Sequence, residues 1–242
     1  MALSINHASI DSVVVGARPN QMKAAPLLRA LREHSDFEPV LIDTGQHYDH
    51  EMAGIFFEQF GMGMPDISLN VGSGSHGKQT ANILERYEAV LLERQPDCVI
   101  VIGDVNSTVA CSLAATKLGI PTVHLEAGLR SNDRGMPEEL NRIVTDHLCD
   151  LLWTPSPDGD ENLASEGIDG RKIVRVGNIM IDTLVQMEPL FQVRNMKEEL
   201  GIPQSHLVVT LHRPSNVDDE SVLSLILAQL SSLADQYTLV WP

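Results

Sequence analysis

The strand-like segments of this sequence run, nearly without exception, into glycine together with a charged or amide side chain. The first exits through Gly16-Ala17-Arg18-Pro19-Asn20, with Lys23 close behind, and the second through Thr44-Gly45-Gln46-His47. Later exits read Gly103-Asp104-Val105-Asn106, Glu126-Ala127-Gly128-Leu129-Arg130 and Thr210-Leu211-His212-Arg213. Such residues can bind and turn over a polar small molecule, because glycine admits a ligand close to the backbone while the neighbours supply charge. Arg18 and Lys23 bracket a helix start, with Pro19 at a favoured first position. Cations there oppose the helix dipole, which makes sense if a phosphate or diphosphate sits beside them. Two solvated surface charges are the plainer alternative.

Glu138 and Glu139 open a helix begun by Pro137, where acids are expected for capping alone. Glu138 and Arg142 are spaced as an i,i+4 pair on a polar face, with Leu140, Ile143, Val144 and Leu148 as the core face. One glutamate is then aimed and the other solvated. His124 lies inside a strand and reads as a hydrogen-bonded core histidine. A decoy lies at Gly72-Ser73-Gly74-Ser75-His76-Gly77-Lys78, which fits most of a phosphate-binding P-loop. Its next residue is Gln79, not Ser or Thr. Thr80 comes one place late, rotated by roughly 100° around a helix. A Gly/Ser loop at the cleft mouth is the better reading.

The elements that must position these groups alternate along the chain. Strands are expected at 12–16, 39–44, 66–71, 97–103, 121–125, 151–154 and 172–176. Helices are expected at 20–34, 49–60, 77–95, 107–118, 137–149 and 158–166. Runs such as CVIVIG and LLWT are apolar throughout, as in parallel strands buried on both faces. The alternation predicts an α/β fold with a doubly wound, Rossmann-like parallel sheet, whose ligands bind beyond the carboxyl ends of the strands. Residues 1–179 form this domain. Linking helices follow over 180–204, and a strand–helix–strand unit over 205–242 opens a second α/β domain. One such unit has too little core to finish a domain, so truncation is expected.

Composition narrows the partners. With 33 acidic against 17 basic residues the net charge is -16, which disfavours nucleic acid and anionic membranes as bulk partners. An anionic small molecule remains possible, since it feels only its own cleft. Cys98, Cys111 and Cys149 sit in apolar runs without CxxC spacing and read as reduced core thiols. No stretch approaches the ~18 apolar residues of a membrane span, and the first residues lack the pattern of a secretory signal. A cytoplasmic location is expected.

Seven ordered blocks now converge on one family. GARPNQMKAAPL, TGQH, GDVNST, HLEAGLRS, PEELNR, VGNIMID and TLHRPSN resemble, in order and spacing, the blocks of non-hydrolysing UDP-N-acetylglucosamine 2-epimerases. The resemblance implies a glycosyltransferase-B-like (GT-B) pair of Rossmann domains, with the second truncated here. It implies inversion at C2 of UDP-N-acetylglucosamine, giving UDP-N-acetylmannosamine by elimination and re-addition of UDP. On this resemblance Asp104, Glu126 and Glu138 form the acid/base set, and His212 contacts the diphosphate or protonates it. Arg18 and Lys23 neutralise the leaving group, with Arg142 and Arg213 also binding substrate. Neither a metal nor any other cofactor is implied, and a homodimer is the expected assembly. Two departures stand out: Asn20 replaces a frequent glutamate, and Pro214-Ser215 replaces the common Arg-Glu. They mark a subgroup or a different sugar. Alternatives of other outcome are a hydrolysing 2-epimerase, a GT-B glycosyltransferase and a non-catalytic nucleotide-sugar-binding fragment.

Overall fold

Alternate residues of the central apolar runs enter two separate cores, one on each face of a parallel sheet. This computed structural model describes residues 9–45, 57–193, 195–211 and 214–241. Strands β1 (Ser9–Val15), β2 (Phe37–Asp43), β3 (Ile67–Ser68), β4 (Cys98–Ile102), β5 (Thr122–Leu125), β6 (Leu151–Thr154) and β7 (Ile173–Arg175) pair in the order β3-β2-β1-β4-β5-β6-β7. Every pairing is parallel. Val13 and Val15 of β1 join Ile100 and Ile102 of β4 in one core; Val14 joins Val99 and Val101 in the other. Each such side chain, fully withdrawn from water, contributes roughly 1.5–3 kcal/mol.

Helices cover both faces. Helix α1 (Arg18–Glu33) buries Ala24, Leu27, Leu28 and Leu31 on the Val13 side. Helix α2 (His76–Arg94) uses Ile83, Tyr87 and Leu91, one turn apart, on the other. Helix α3 (Asn106–Lys117) is sunk on several sides, and its contacts are small: Ala110, Cys111, Ala114 and Ala115. Helices α4 (Pro137–Leu148), α5 (Pro157–Ser165) and α6 (Ile179–Val193) follow. Of the helix expected over 49–60, residues 57–59 are helical and 49–56 lie outside the described residues.

The expectations need correction in two places. Strand β3 is shorter than the run 66–71 suggested. Asn70 adopts φ 51°, and Arg86 donates to the carbonyls of Leu69 and Asn70 at 2.6 and 2.7 Å, diverting them from sheet pairing. Helix α4 is rotated relative to its apolar stripe. Leu140 and Val144 are 41% and 45% exposed, whereas Glu139, Thr145 and Asp146 are buried. Its inward face serves polar contacts with the strand tips and not hydrophobic packing.

The chain divides into two units, Met1–Val185 and Gln186–Pro242. The second contains α7 (Met196–Glu199), β8 (His206–Val208), α8 (Pro214–Val217), α9 (Glu220–Ala234) and β9 (Thr238–Val240), with β8 and β9 parallel. Asp219 caps α9 by accepting from the N–H of Ser221 and Val222. Within the first unit, no such slack exists at Gly128, where φ is +81° and an added Cβ would lie 2.4 Å from the carbonyl oxygen of Gly159. Gly128→Ala therefore costs roughly 2–5 kcal/mol, lowering Tm by on the order of 10 °C. Gly77→Ala, in open space on α2, is expected to raise stability by about 0.5–1 kcal/mol. Thermal unfolding of both variants checks the pair.

Candidate active site

The order of the sheet reverses between β1 and β4, and a crevice opens at the carboxyl ends of strands on either side of such a reversal. Three exits meet here. After β1 the chain turns at Ala17 into α1, and Asn20 joins that turn to β4. Its side-chain oxygen accepts the Ala17 N–H at 3.1 Å, while its amide donates to the Ile102 carbonyl at 2.8 Å. A glutamate here could accept from Ala17 but could not donate to Ile102 when ionised. The departure at Asn20 thus has a local structural use.

After β4 comes Gly103, with φ +70°. A Cβ there would lie 3.2 Å from the Asn20 amide nitrogen and 3.4 Å from both Glu126 Oε2 and Lys23 Nζ. Lys23 and Glu126 form an ion pair at this point, with side chains 12% and 21% exposed. Glu126 itself holds φ 76°, unusual for a residue with a Cβ. Its N–H donates to the Trp153 carbonyl, as does the N–H of Ala127, both at 3.0 Å. That bond to the next strand fixes the turn that aims the carboxylate.

Beside this pair stands a second. Asp104 binds Arg142 of α4, which also reaches Glu139 at 3.2 Å. The i,i+4 partnership expected between Glu138 and Arg142 does not form, because Arg142 turns to the strand tip. Asn141 adds a bond from its amide to the Asp104 carbonyl at 2.9 Å. The two glutamates of α4 divide as their burial dictates. Glu139 is buried and accepts from the N–H groups of Ser131 and Asn132, both at 2.9 Å. Burial alone would raise its pKa, but these donors and Arg142 outweigh burial and hold it below the ordinary value. Glu138 is half-buried, and no hydrogen bond or ion pair joins its side chain to the described residues.

Behind the tips lies a wholly buried layer. His124 donates from Nε2 to the Gly103 carbonyl at 2.7 Å, and its Nδ1 meets Asp146 Oδ1 at 2.6 Å. Asp146 Oδ2 accepts the Gly128 N–H at 3.1 Å and binds Arg130 at 2.8 Å. Arg130 in turn grips both oxygens of Glu166 at 2.7 Å. Arg130 is thereby held by Asp146 and Glu166 together. The P-loop-like segment also finds its place: Gln79 donates to the Gly72 carbonyl at 3.0 Å and accepts from Asn106 at 2.8 Å. An amide that staples the loop stands where a P-loop would carry its magnesium-binding hydroxyl.

Of the residues singled out in the sequence, Lys23, Asp104, Glu126 and Arg142 come together. Arg18 begins α1, next to this group in the chain, although its side chain lies outside the described residues, as do His212, Arg213, Gln46 and His47. The sequence marked Asn20 as a strand-exit amide and a departure from the family, but Asn141 and Asp146 were missed. Asp146 sits one turn after Arg142 in α4, a helical spacing that could have flagged it. Among the described residues no cluster of three His, Cys, Asp or Glu side chains could hold a metal ion. No helix there is long and apolar enough to cross a membrane.

The family model described as UDP-N-acetylglucosamine 2-epimerase matches residues 29–242. The chain belongs to the UDP-N-acetylglucosamine 2-epimerase family. A UDP-N-acetylglucosamine 2-epimerase homolog of Methanococcus maripaludis is 46% identical over 217 residues, covering 88% of this chain and 60% of that protein. A UDP-2,3-diacetamido-2,3-dideoxy-D-glucuronate 2-epimerase of Pseudomonas aeruginosa is 40% identical, with 91% and 62% covered. The Methanocaldococcus jannaschii UDP-GlcNAc 2-epimerase, solved with UDP-GlcNAc and UDP, superposes with a TM-score of 0.88 at 37% identity. The match covers 96% of this chain and 65% of that one. The chain thus spans about three fifths of the length of the curated relatives it matches.

The buried acids of this family member make its acid stability predictable. Burial opposes ionisation of Asp146, yet His124 and Arg130 prevail and its pKa falls below the ordinary 3.8. A depressed carboxyl stabilises the fold fully above its unfolded pKa, and this is lost as pH falls through the folded value. Asp146→Ala, which strands His124 and the Gly128 N–H and leaves Arg130 with Glu166 alone, costs roughly 3–5 kcal/mol near neutral pH. In denaturant titrations the gap from the unaltered protein should narrow as pH drops below about 4.

Proposed function

We propose that this chain is the N-terminal part of an enzyme that inverts C2 of UDP-N-acetylglucosamine, giving UDP-N-acetylmannosamine. The observation that carries the reading is the pair of acid–cation contacts, Glu126–Lys23 and Asp104–Arg142, on neighbouring strand exits around Gly103. The relatives' descriptions point to the same chemistry. The C2 proton of the sugar is too weakly acidic for a carboxylate to remove alone. Breaking the C1–oxygen bond as that proton leaves solves the problem, because UDP departs with the electron pair. The products of this step are 2-acetamidoglucal and UDP. Protonation of C2 from the opposite face and return of UDP to C1 complete the inversion.

The scheme needs acid/base groups on both sides of the ring and cations on the diphosphate. Asp104, Glu126 and Glu138 fill the first role. Arg18, Lys23 and Arg142 fill the second, joined by Arg213, while His212 contacts the diphosphate or gives it a proton. The two ion pairs add a coupling. An arriving diphosphate offers Lys23 and Arg142 a second counter-charge, which loosens their hold on Glu126 and Asp104 and frees both acids for the sugar. No cofactor is needed for a reaction that moves one proton out and one proton in.

We propose further that the second unit opens a second α/β domain, as in a GT-B-like pair. Its apolar residues support this: Val208, Leu225 and Trp241 are 65%, 70% and 48% exposed. A homodimer is supported by the apolar stripe that α4 turns outward at Leu140 and Val144. A cytoplasmic location is supported by the free thiols of Cys98, Cys111 and Cys149. A second reading, a different 2-acetamido UDP-sugar, is favoured by the 40% identity to the Pseudomonas aeruginosa enzyme, and a substrate panel separates it.

In the full-length protein, Asp104→Asn and Glu126→Gln should each cut deuterium uptake at C2 in heavy water by ~10²–10⁴-fold, with UDP binding retained. Undiminished uptake in both variants refutes their role. Accumulating free UDP and N-acetylmannosamine would instead mark the hydrolysing outcome.

A further inference from the structure

A single buried carboxylate is tied to both of the loops that present the candidate acids, directly to one and through an imidazole to the other. Asp146 Oδ1 meets His124 Nδ1 at 2.6 Å, and the same ring donates from Nε2 to the carbonyl of Gly103, the residue before Asp104. Asp146 Oδ2 accepts the N–H of Gly128, two residues beyond Glu126. The path from one loop to the other therefore runs Gly103 carbonyl, imidazole, carboxylate, Gly128 N–H. His124 and Asp146 are 0% and 1% exposed, so no water competes for any of these bonds.

The ring's protons follow from what it faces. A carbonyl oxygen can only accept, so Nε2 carries a proton. Asp146 accepts from Gly128 and binds the guanidinium of Arg130 through Oδ2, while its Oδ1 shares a proton with Nδ1. The outer ends are anchored as well. Glu166 neutralises Arg130 through both oxygens. Asn162 donates to the Gly128 carbonyl at 2.9 Å, while the Gly159 backbone packs directly on Gly128. The loop after β5 cannot slide without breaking these contacts.

We propose that His124 and Asp146 are positioning residues: an imidazole braced by a buried carboxylate fixes the separation of Asp104 and Glu126 across the substrate. Neither touches the sugar. They act by setting where the two acids stand, and a misplacement of about 1 Å in such groups costs on the order of 10²-fold in rate. The inference rests on the epimerase reading for its kinetic arm and on hydrogen bonding alone for its spectroscopic arm.

The kinetic arm compares two amides in the full-length protein. The shorter side chain of His124→Asn can still donate to Asp146 but falls short of the Gly103 carbonyl. That of His124→Gln reaches far enough to donate to Gly103. His124→Asn is expected to lower kcat for C2 exchange by ~10–100-fold with KM changed by less than about threefold, and His124→Gln to recover most of the loss. Equal losses in the two variants, a change confined to KM, or unchanged kcat would overturn the proposal. The second arm needs no variant to fold in active form. In protein with ¹⁵N-labelled histidine, Nε2 of His124 should show the shift of a protonated nitrogen, as donation to the Gly103 carbonyl requires. Nε2 at the unprotonated position overturns the proposal even if the variants behave as expected. An unaltered protein that binds UDP-sugar without C2 exchange refutes the epimerase reading, and the ring-nitrogen signals then judge the hydrogen-bonded brace separately.

Discussion

A charge withdrawn from water must find a partner, because leaving it unpaired costs several kcal/mol. That constraint shapes the carboxyl end of this sheet more than hydrophobic packing does. Asp146, buried beneath two strand exits, is answered by an imidazole, a backbone N–H and a guanidinium. Glu139 is answered by two backbone N–H groups and Arg142. Nearer the surface, Lys23 with Glu126 and Arg142 with Asp104 obey the same rule in a looser form. The gradient from fully buried to partly exposed pairs separates groups that hold the loops from the groups to which the proposed function gives a ligand.

Topology supplies the rest. Parallel strands bring all their exits to one end of the sheet, and the reversal of order between β1 and β4 parts the flanking loops. Lys23 from the β1 exit, Gly103 and Asp104 from the β4 exit and Glu126 from the β5 exit are distant in sequence. The sheet makes them neighbours. Gly103 keeps the meeting point open, since any side chain there would press on Asn20, Lys23 and Glu126 together.

Much of this was legible in the sequence. Apolar runs such as CVIVIG could only be strands covered on both faces, and a glycine before Asp104 could be seen to clear space. Family blocks supplied the candidate acids and cations. The rotation of α4 was not legible. Its leucines, isoleucine and valine follow a helical stripe as a core face would, and only the strand tips, where Asp104 and the Gly128 N–H would otherwise lack these partners, reward turning Arg142 and Asp146 inward. Long-range pairings of this kind leave no local signal. Nor could spacing reveal that Lys23 already has a carboxylate partner in Glu126; under the proposed function it is then a cation shared between that acid and the ligand, and not a waiting anion site.

The central claim is that breaking the sugar–diphosphate bond makes C2 labile. Positional isotope exchange tests it most directly, using UDP-N-acetylglucosamine labelled with ¹⁸O in the oxygen that bridges C1 and the β-phosphorus. If UDP leaves and returns, some label will be found in a non-bridging β-phosphoryl position of recovered UDP-sugar, as an ¹⁸O-induced ³¹P shift. Epimerised product that keeps all of its label in the bridge would contradict the account.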